Sequence, residues 1–103
     1  SDAESVKKLV NETVIQFGGL DAMISNAGIL RAGSLDEMDQ ATFELMTKVN
    51  YTGYFLCAKY AQGVMKAQSK INADYYMDII QINSKSGLFW NTGLSLISLI
   101  FLA

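Results

Sequence analysis

Hydrophobic positions along the chain fall into four runs whose spacing alternates between helical and extended. Val6, Leu9, Val10, Val14 and Phe17 recur at the three- and four-residue steps of one helical face, while Lys7, Lys8, Asn11 and Glu12 occupy the other. Ser1 and Glu4 stand at capping-box spacing ahead of this run, and Gly18-Gly19 ends it. Residues 20–25, with Ala22-Met23-Ile24 at the centre, form a short apolar run bounded by glycines, the pattern of a buried strand. A loop over 26–34 follows, containing Gly28 and Gly33. Asp39 then has the chemistry of an N-cap, with Met38 and Phe43 placed as a hydrophobic staple. The helix it opens is predicted over 40–67, its apolar side including Phe43, Met46, Val49, Tyr54, Cys57, Ala61, Val64 and Met65. Gly53 and Gly63 weaken that helix in isolation, so packing must hold it. A polar connection over 68–74 leads to residues 76–83, Tyr76 to Asn83, a second buried strand.

The order helix, strand, helix, strand, with a long helical crossover between the strands, implies parallel pairing and an α/β fold. Two parallel strands cannot cover both of their faces or close their edges. The expected architecture is therefore only a partial αβαβ portion of a larger parallel sheet.

Composition narrows the chemistry. The chain has 103 residues, one small domain by length, with 50% hydrophobic and 17% charged residues, so it should bury a core. It contains no histidine, which excludes Ser-His-Asp and Cys-His catalysis and any His-ligated metal site. Asp36, Glu37 and Asp39 cluster, but their positions suit a helix N-terminus better than a metal cage, so no metal is expected. The single cysteine, Cys57, allows no internal disulfide and fits a reducing, cytoplasmic setting; its helical spacing among apolar residues marks it as packing rather than a nucleophile. A net charge of −2, without a basic stripe, argues against nucleic acid as a partner. The last 18 residues carry no charge and eleven of them are apolar. Its most apolar stretch, 94–102, is shorter than the ~20 residues a spanning helix needs and lacks a basic flank, so no membrane partner is expected.

In open parallel sheets, ligands sit beyond the carboxyl ends of the strands. Here those ends read Asn26-Ala27-Gly28 and Asn83-Ser84-Lys85-Ser86-Gly87, with Asn50 in the middle of the long helix. Together these segments resemble the short-chain dehydrogenase/reductase family. The resemblance rests on Leu20 to Ile29 around the Asn-Ala-Gly turn, Val49-Asn50-Tyr51-Thr52-Gly53-Tyr54-Phe55, and Ile80-Gln81-Ile82-Asn83-Ser84-Lys85-Ser86-Gly87. Within the family, Tyr54-Phe55-Leu56-Cys57-Ala58 and residues 79–87 look most like sorbitol-6-phosphate dehydrogenases and related sugar dehydrogenases.

The resemblance implies a Rossmann-like fold and NAD- or NADP-dependent interconversion of a secondary alcohol and a ketone on a sugar, polyol or sugar phosphate. It implies that the Ser84 hydroxyl hydrogen-bonds the reacting oxygen, polarising it where charge develops. It implies that the Asn50 main-chain carbonyl, freed by a local break in the helix, holds a water of a proton relay. Asn26, Ala27 and Gly28, with Ile82 across from them, match positions beside the cofactor, where a glycine lets backbone approach a ligand. The long helix matches one that packs against a second subunit, implying a homo-oligomer. Plain structural readings stand beside these: Asn-Ala-Gly as a strand-ending turn, and Ser-x-Ser-Gly as ordinary turn chemistry. Asn50, unfavourable inside a helix, must have its cost explained on either reading.

The chain departs from the family pattern in two places. It has no Gly-x-x-x-Gly-x-Gly or Gly-x-Gly-x-x-Gly, and no Tyr-x-x-x-Lys to act as general acid; Ile97 and Phe101 stand about where that pair belongs. The expected organisation is therefore residues 1–88 as the central part of a dehydrogenase Rossmann domain and 89–103 as an out-of-frame or unrelated apolar tail. The chain alone is expected to be inactive. The alternative is a non-catalytic assembly module built from a truncated dehydrogenase, its unpaired strand edges seeking partners.

Overall fold

The computed structural model of the chain describes residues 2–31 and 33–84. Ser1, the residues from Lys85 to Gly87 and the tail over 89–103 lie outside the described residues.

Helix α1 (Ala3–Phe17) is capped by Asp2, whose carboxylate accepts hydrogen bonds from the Ser5 amide at 3.2 Å and the Ser5 hydroxyl at 2.8 Å. The cap is Asp2 rather than the expected Ser1, because the carboxylate satisfies a free amide and adds negative charge at the positive end of the helix. The helix stops as its sequence predicts. Gly18 takes φ 84° and its amide donates to the Val14 carbonyl at 2.8 Å, a left-handed closure that glycine adopts without strain.

Strands β1 (Ala22–Ser25) and β2 (Asp78–Gln81) pair in parallel, with Met23 opposite Ile79 and Ile24 opposite Ile80. The Asp78 amide donates to the Asp21 carbonyl, and the Ile82 amide donates to the Ser25 carbonyl, each at 3.0 Å, which extends the pairing at both ends. Both strands are shorter than their apolar runs. Their burial is one-sided, which corrects the expectation of fully buried strands. Met23 and Ile79 face the helices, whereas Ile24 and Ile80 remain 60% and 42% exposed on the other face.

The core lies between that inner face and the helices. It consists of Val10 from α1, Leu20 and Met23 from the approach to β1 and its body, and Ala61 and Met65 from the last helix, with Cys57, Tyr60, Val64, Met77 and Ile79 packed around them. Cys57 thus sits half-buried against apolar neighbours. Of the α1 stripe, only Val10 is fully buried, and Leu9 and Phe17 are largely exposed, because among the described residues nothing packs against the outer side of α1.

The single helix predicted over 40–67 is instead three segments. Helix α2 (Gln40–Thr47) begins at Asp39, whose carboxylate accepts from the Thr42 amide at 2.7 Å. A π-helical turn (Lys48–Thr52) follows, and helix α3 (Gly53–Ile71) continues beyond the predicted end. The Gly53 amide donates to the Lys48 carbonyl, five residues back, so the turn carries one residue more than an α-helix would. Periodicity does not reveal such a turn, since one extra residue only rotates the apolar stripe. Gln68, expected in a connecting loop, lies inside α3 and is held there by bonds described below.

Candidate functional site

The carboxyl ends of β1 and β2 lie side by side, as the parallel register demands. Asn26, Ala27 and Gly28 leave β1 directly after Ser25, and Ile82, Asn83 and Ser84 leave β2 directly after Gln81. The bond between the Ile82 amide and the Ser25 carbonyl joins the two exits. Asn26, Ala27, Gly28, Asn83 and Ser84 are all exposed, and Ile82 is 51% exposed. This is a shelf of small residues with an apolar side chain beside it. The Asn26 carboxamide makes no hydrogen bond among the described residues. Hydroxyl-bearing sugar rings need this combination of an apolar floor and hydrogen-bonding groups at its rim. These residue types offer hydrogen-bonding groups to the hydroxyls of a ligand.

Asn50 is the one buried polar side chain among the described residues, at 6% exposure, and it reaches this shelf from the π-helical turn. Its Oδ1 accepts from the Ile29 amide at 2.8 Å, and its Nδ2 donates to the Ile29 carbonyl at 2.9 Å. A carboxamide gives and takes in this paired way at neutral pH, which among the other side chains only a protonated carboxyl could match, so the bond favours Asn or Gln. The arrangement answers the cost of an asparagine within a helix. Gly28 belongs to the same arrangement: a Cβ there would meet Asn50 Oδ1 at 3.5 Å, so the missing side chain faces the protein's own carboxamide. Its φ is not positive, so the turn itself does not require glycine.

A second carboxamide clamp holds the opposite end of β1. Gln68 Oε1 accepts from the Leu20 amide at 2.7 Å, and its Nε2 donates to the Leu20 carbonyl at 2.8 Å and to the Met77 sulfur at 3.0 Å. A Cβ on Gly19 would lie 2.8 Å from Gln68 Oε1, so a side chain there would push the Gln68 carboxamide out of its present position. Nearby, the Tyr75 hydroxyl donates to the Asp21 carboxylate, which raises the tyrosine pKa above its ordinary value. Sequence reasoning passed over Gln68, Ile29 and Gly19. For Gly19 the signal was the second glycine of a pair when one suffices to end a helix.

The acidic group near α2 does what its position suggests. Asp39 caps the helix, and hydrogen bonds from Thr42 hold its carboxyl below the usual range. Glu37 accepts from the Ser34 amide at 3.3 Å. No group of three or more metal-ligating side chains is present among the described residues. No helix among them is long and apolar enough to cross a membrane; the apolar stretch 94–102 lies outside them.

The sequence profile of the family described as short chain dehydrogenase matches residues 1–96. The chain belongs to that family. The match runs past Leu88, where the motifs identified in the sequence end. An uncharacterized oxidoreductase of Thermotoga maritima is 35% identical over 86 residues, covering 84% of this chain and 32% of its own length. The 3-oxoacyl-[acyl-carrier-protein] reductase FabG of Staphylococcus aureus is 32% identical over 93 residues, covering 90% of this chain and 35% of its own. The crystal structure of sorbitol-6-phosphate 2-dehydrogenase SrlD from Erwinia amylovora superposes with a TM-score of 0.87 at 30% identity, covering 98% of this chain and 38% of that one. The chain thus spans about a third of the length of each of these relatives. Its helices and parallel strand pair are a partial αβαβ portion of a Rossmann-like α/β sheet. The family consists of NAD(P)-dependent oxidoreductases that act on small molecules.

Proposed function

We propose that the chain carries the adenosine-ribose contact and the substrate-polarising serine of an NAD(P)-dependent dehydrogenase that interconverts a secondary alcohol and a ketone on a sugar, polyol or sugar phosphate. The single observation that carries this reading is the convergence of Asn26-Ala27-Gly28 and Ile82-Asn83-Ser84 at adjoining carboxyl ends of two parallel strands. Similarity to a sorbitol-6-phosphate 2-dehydrogenase over nearly the whole chain favours the sugar-phosphate class.

Asn26, Ala27 and Gly28 would line one side of the ribose, the free Asn26 carboxamide offering both a donor and an acceptor to its hydroxyls. The Ile82 side chain would cover an apolar edge of the nucleoside. When bound, NAD(P) supplies the hydride acceptor or donor. Ser84 would donate a hydrogen bond to the oxygen that becomes negative as a ketone is reduced. The Asn50 main-chain carbonyl, in a turn whose bonding departs from the α ladder, would hold a water on the proton's path. Proton transfer itself needs a general acid, and the chain has no Tyr-x-x-x-Lys.

The expected behaviour is therefore weak cofactor binding without turnover in a cytoplasmic setting. Titration of the purified chain into NADH and NADPH, read by nucleotide fluorescence, tests it, with Asn26→Ala expected to weaken the signal. Oxidation of sorbitol 6-phosphate by the chain alone, or absence of binding at millimolar nucleotide, contradicts it.

A second reading, a homo-oligomer formed through the long helix, is supported by the surface of α3. Phe55 is 57% exposed with the Lys59 ammonium 5.9 Å from its ring centre, and an open groove of about 420 Å³ runs beside it along Ala58, Gln62 and Ile79. Sedimentation showing a monomer at all concentrations contradicts that reading.

A further inference from the structure

The Gln68 clamp includes a sulfur. Of the five methionines, Met23, Met46 and Met65 are buried, at 9%, 0% and 7% exposure, while Met38 and Met77 are half-buried. Met77 alone of that pair packs against the core and accepts a hydrogen bond from a side chain that also holds Leu20. We propose that Met77 makes this clamp sensitive to peroxide: oxidation of its thioether to the sulfoxide releases Gln68 from Leu20 and loosens α3 from the start of β1.

The chemistry is a two-electron oxygen transfer from hydrogen peroxide. A sulfur lone pair attacks one peroxide oxygen, the O–O bond breaks, and water leaves, so Met77 is oxidised and the peroxide reduced. Gln68 Nε2 lies 3.0 Å from the sulfur, a contact into which no oxygen atom can be inserted without the carboxamide retreating. Retreat breaks both bonds to Leu20, because the same nitrogen and its partner oxygen make them at 2.8 and 2.7 Å. Oxygen added elsewhere on the sulfur would bring a strongly polar group against the apolar cluster on which Met77 packs, which disfavours the same packing. The change is reversible by methionine sulfoxide reductases.

The test treats the full 103-residue chain with hydrogen peroxide, maps sulfoxides by mass spectrometry, and follows amide hydrogen exchange at Leu20 and Ile29. The Ile29 amide is held by Asn50 and serves as an internal reference. Met38 and Met77 should oxidise ahead of the three buried methionines. The Leu20 amide should then exchange about tenfold faster, the equivalent of one lost hydrogen bond, while Ile29 stays unchanged. Reductase treatment should restore it, and Met77→Leu should abolish the peroxide effect at Leu20. Within the wild-type sample, molecules oxidised only at Met38 should keep slow exchange at Leu20, so the inference is testable even without a folded variant. It is overturned if Met77 survives exposure that fully oxidises Met38. It is also overturned if Leu20 loosens equally in Met77→Leu, or if the Leu20 amide is unprotected before oxidation.

Discussion

Replacing Asn50 by alanine removes both bonds that hold the turn after β1 to the π-helical turn. The Ile29 amide and carbonyl, which pair with the carboxamide at 2.8 and 2.9 Å, lose their partners in a half-buried segment. A net hydrogen bond is worth about 0.5–1.5 kcal/mol, and a buried group left unpaired costs about 1–3 kcal/mol. Water can reach part of this loop, and alanine gains up to about 0.7 kcal/mol in helix propensity. The expected loss for Asn50→Ala is therefore about 2 kcal/mol, read from the urea midpoint by circular dichroism at constant m-value. Asn50→Asp separates the two bonds. A carboxylate still accepts from the Ile29 amide but faces the Ile29 carbonyl without a proton to give, so folding favours its protonated form. Its folded pKa is thus raised above the unfolded value of about 3.9. The variant should approach wild-type stability below that pH and lose stability as pH rises through the folded pKa. A loss below about 0.5 kcal/mol for Asn50→Ala, or a pH-independent Asn50→Asp, refutes the clamp.

The two glycines after α1 separate conformation from contact. Gly18→Ala meets no neighbour but must adopt φ 84°, and should cost about 1 kcal/mol in thermal or urea unfolding. Gly19→Ala puts a Cβ 2.8 Å from Gln68 Oε1 and should additionally speed exchange of the Leu20 amide, which Gly18→Ala should not. Hydrogen bonds from Ser5 and Thr42 lower the carboxyl pKa values of Asp2 and Asp39 below the ordinary 3.8. Depressed folded values mean that both caps contribute fully above that pH and weaken as pH falls through the folded pKa, so helix signal should fray below about pH 4. Asp39→Asn, which caps without titrating, should reduce that fraying at α2 in residue-resolved carbon chemical shifts.

Local elements were legible because their signals are local. The α1 stripe, the Gly18 stop, the Asp39 cap and the two apolar runs each rest on a few adjacent residues, and each element formed. The parallel pairing followed from a crossover too long for a hairpin. What could not be read were features set by distant residues. The family resemblance implied a break in the helix at Asn50, but periodicity did not show its π-helical form, because the turn leaves the apolar stripe nearly intact. The Asn50 bond to Ile29 spans 21 positions. Gln68 looked like the start of a polar loop because its partner Leu20 is 48 residues away. At the candidate site, residue types and strand ends were legible from Asn26 to Gly28 and at Ser84. The direction of the Gly28 vacancy was not, since it depends on where Asn50 points.

The most direct test of the account is a residue-resolved NMR titration of the chain with NAD and NADP. Shifts are expected at Asn26, Ala27, Gly28, Ile82 and Ser84, weaker ones at Ile29 and Asn50, and none at Gly18, Gln68 or Asn72 at the other end of the sheet. Shifts centred on that other end, or none at saturating nucleotide, would contradict it.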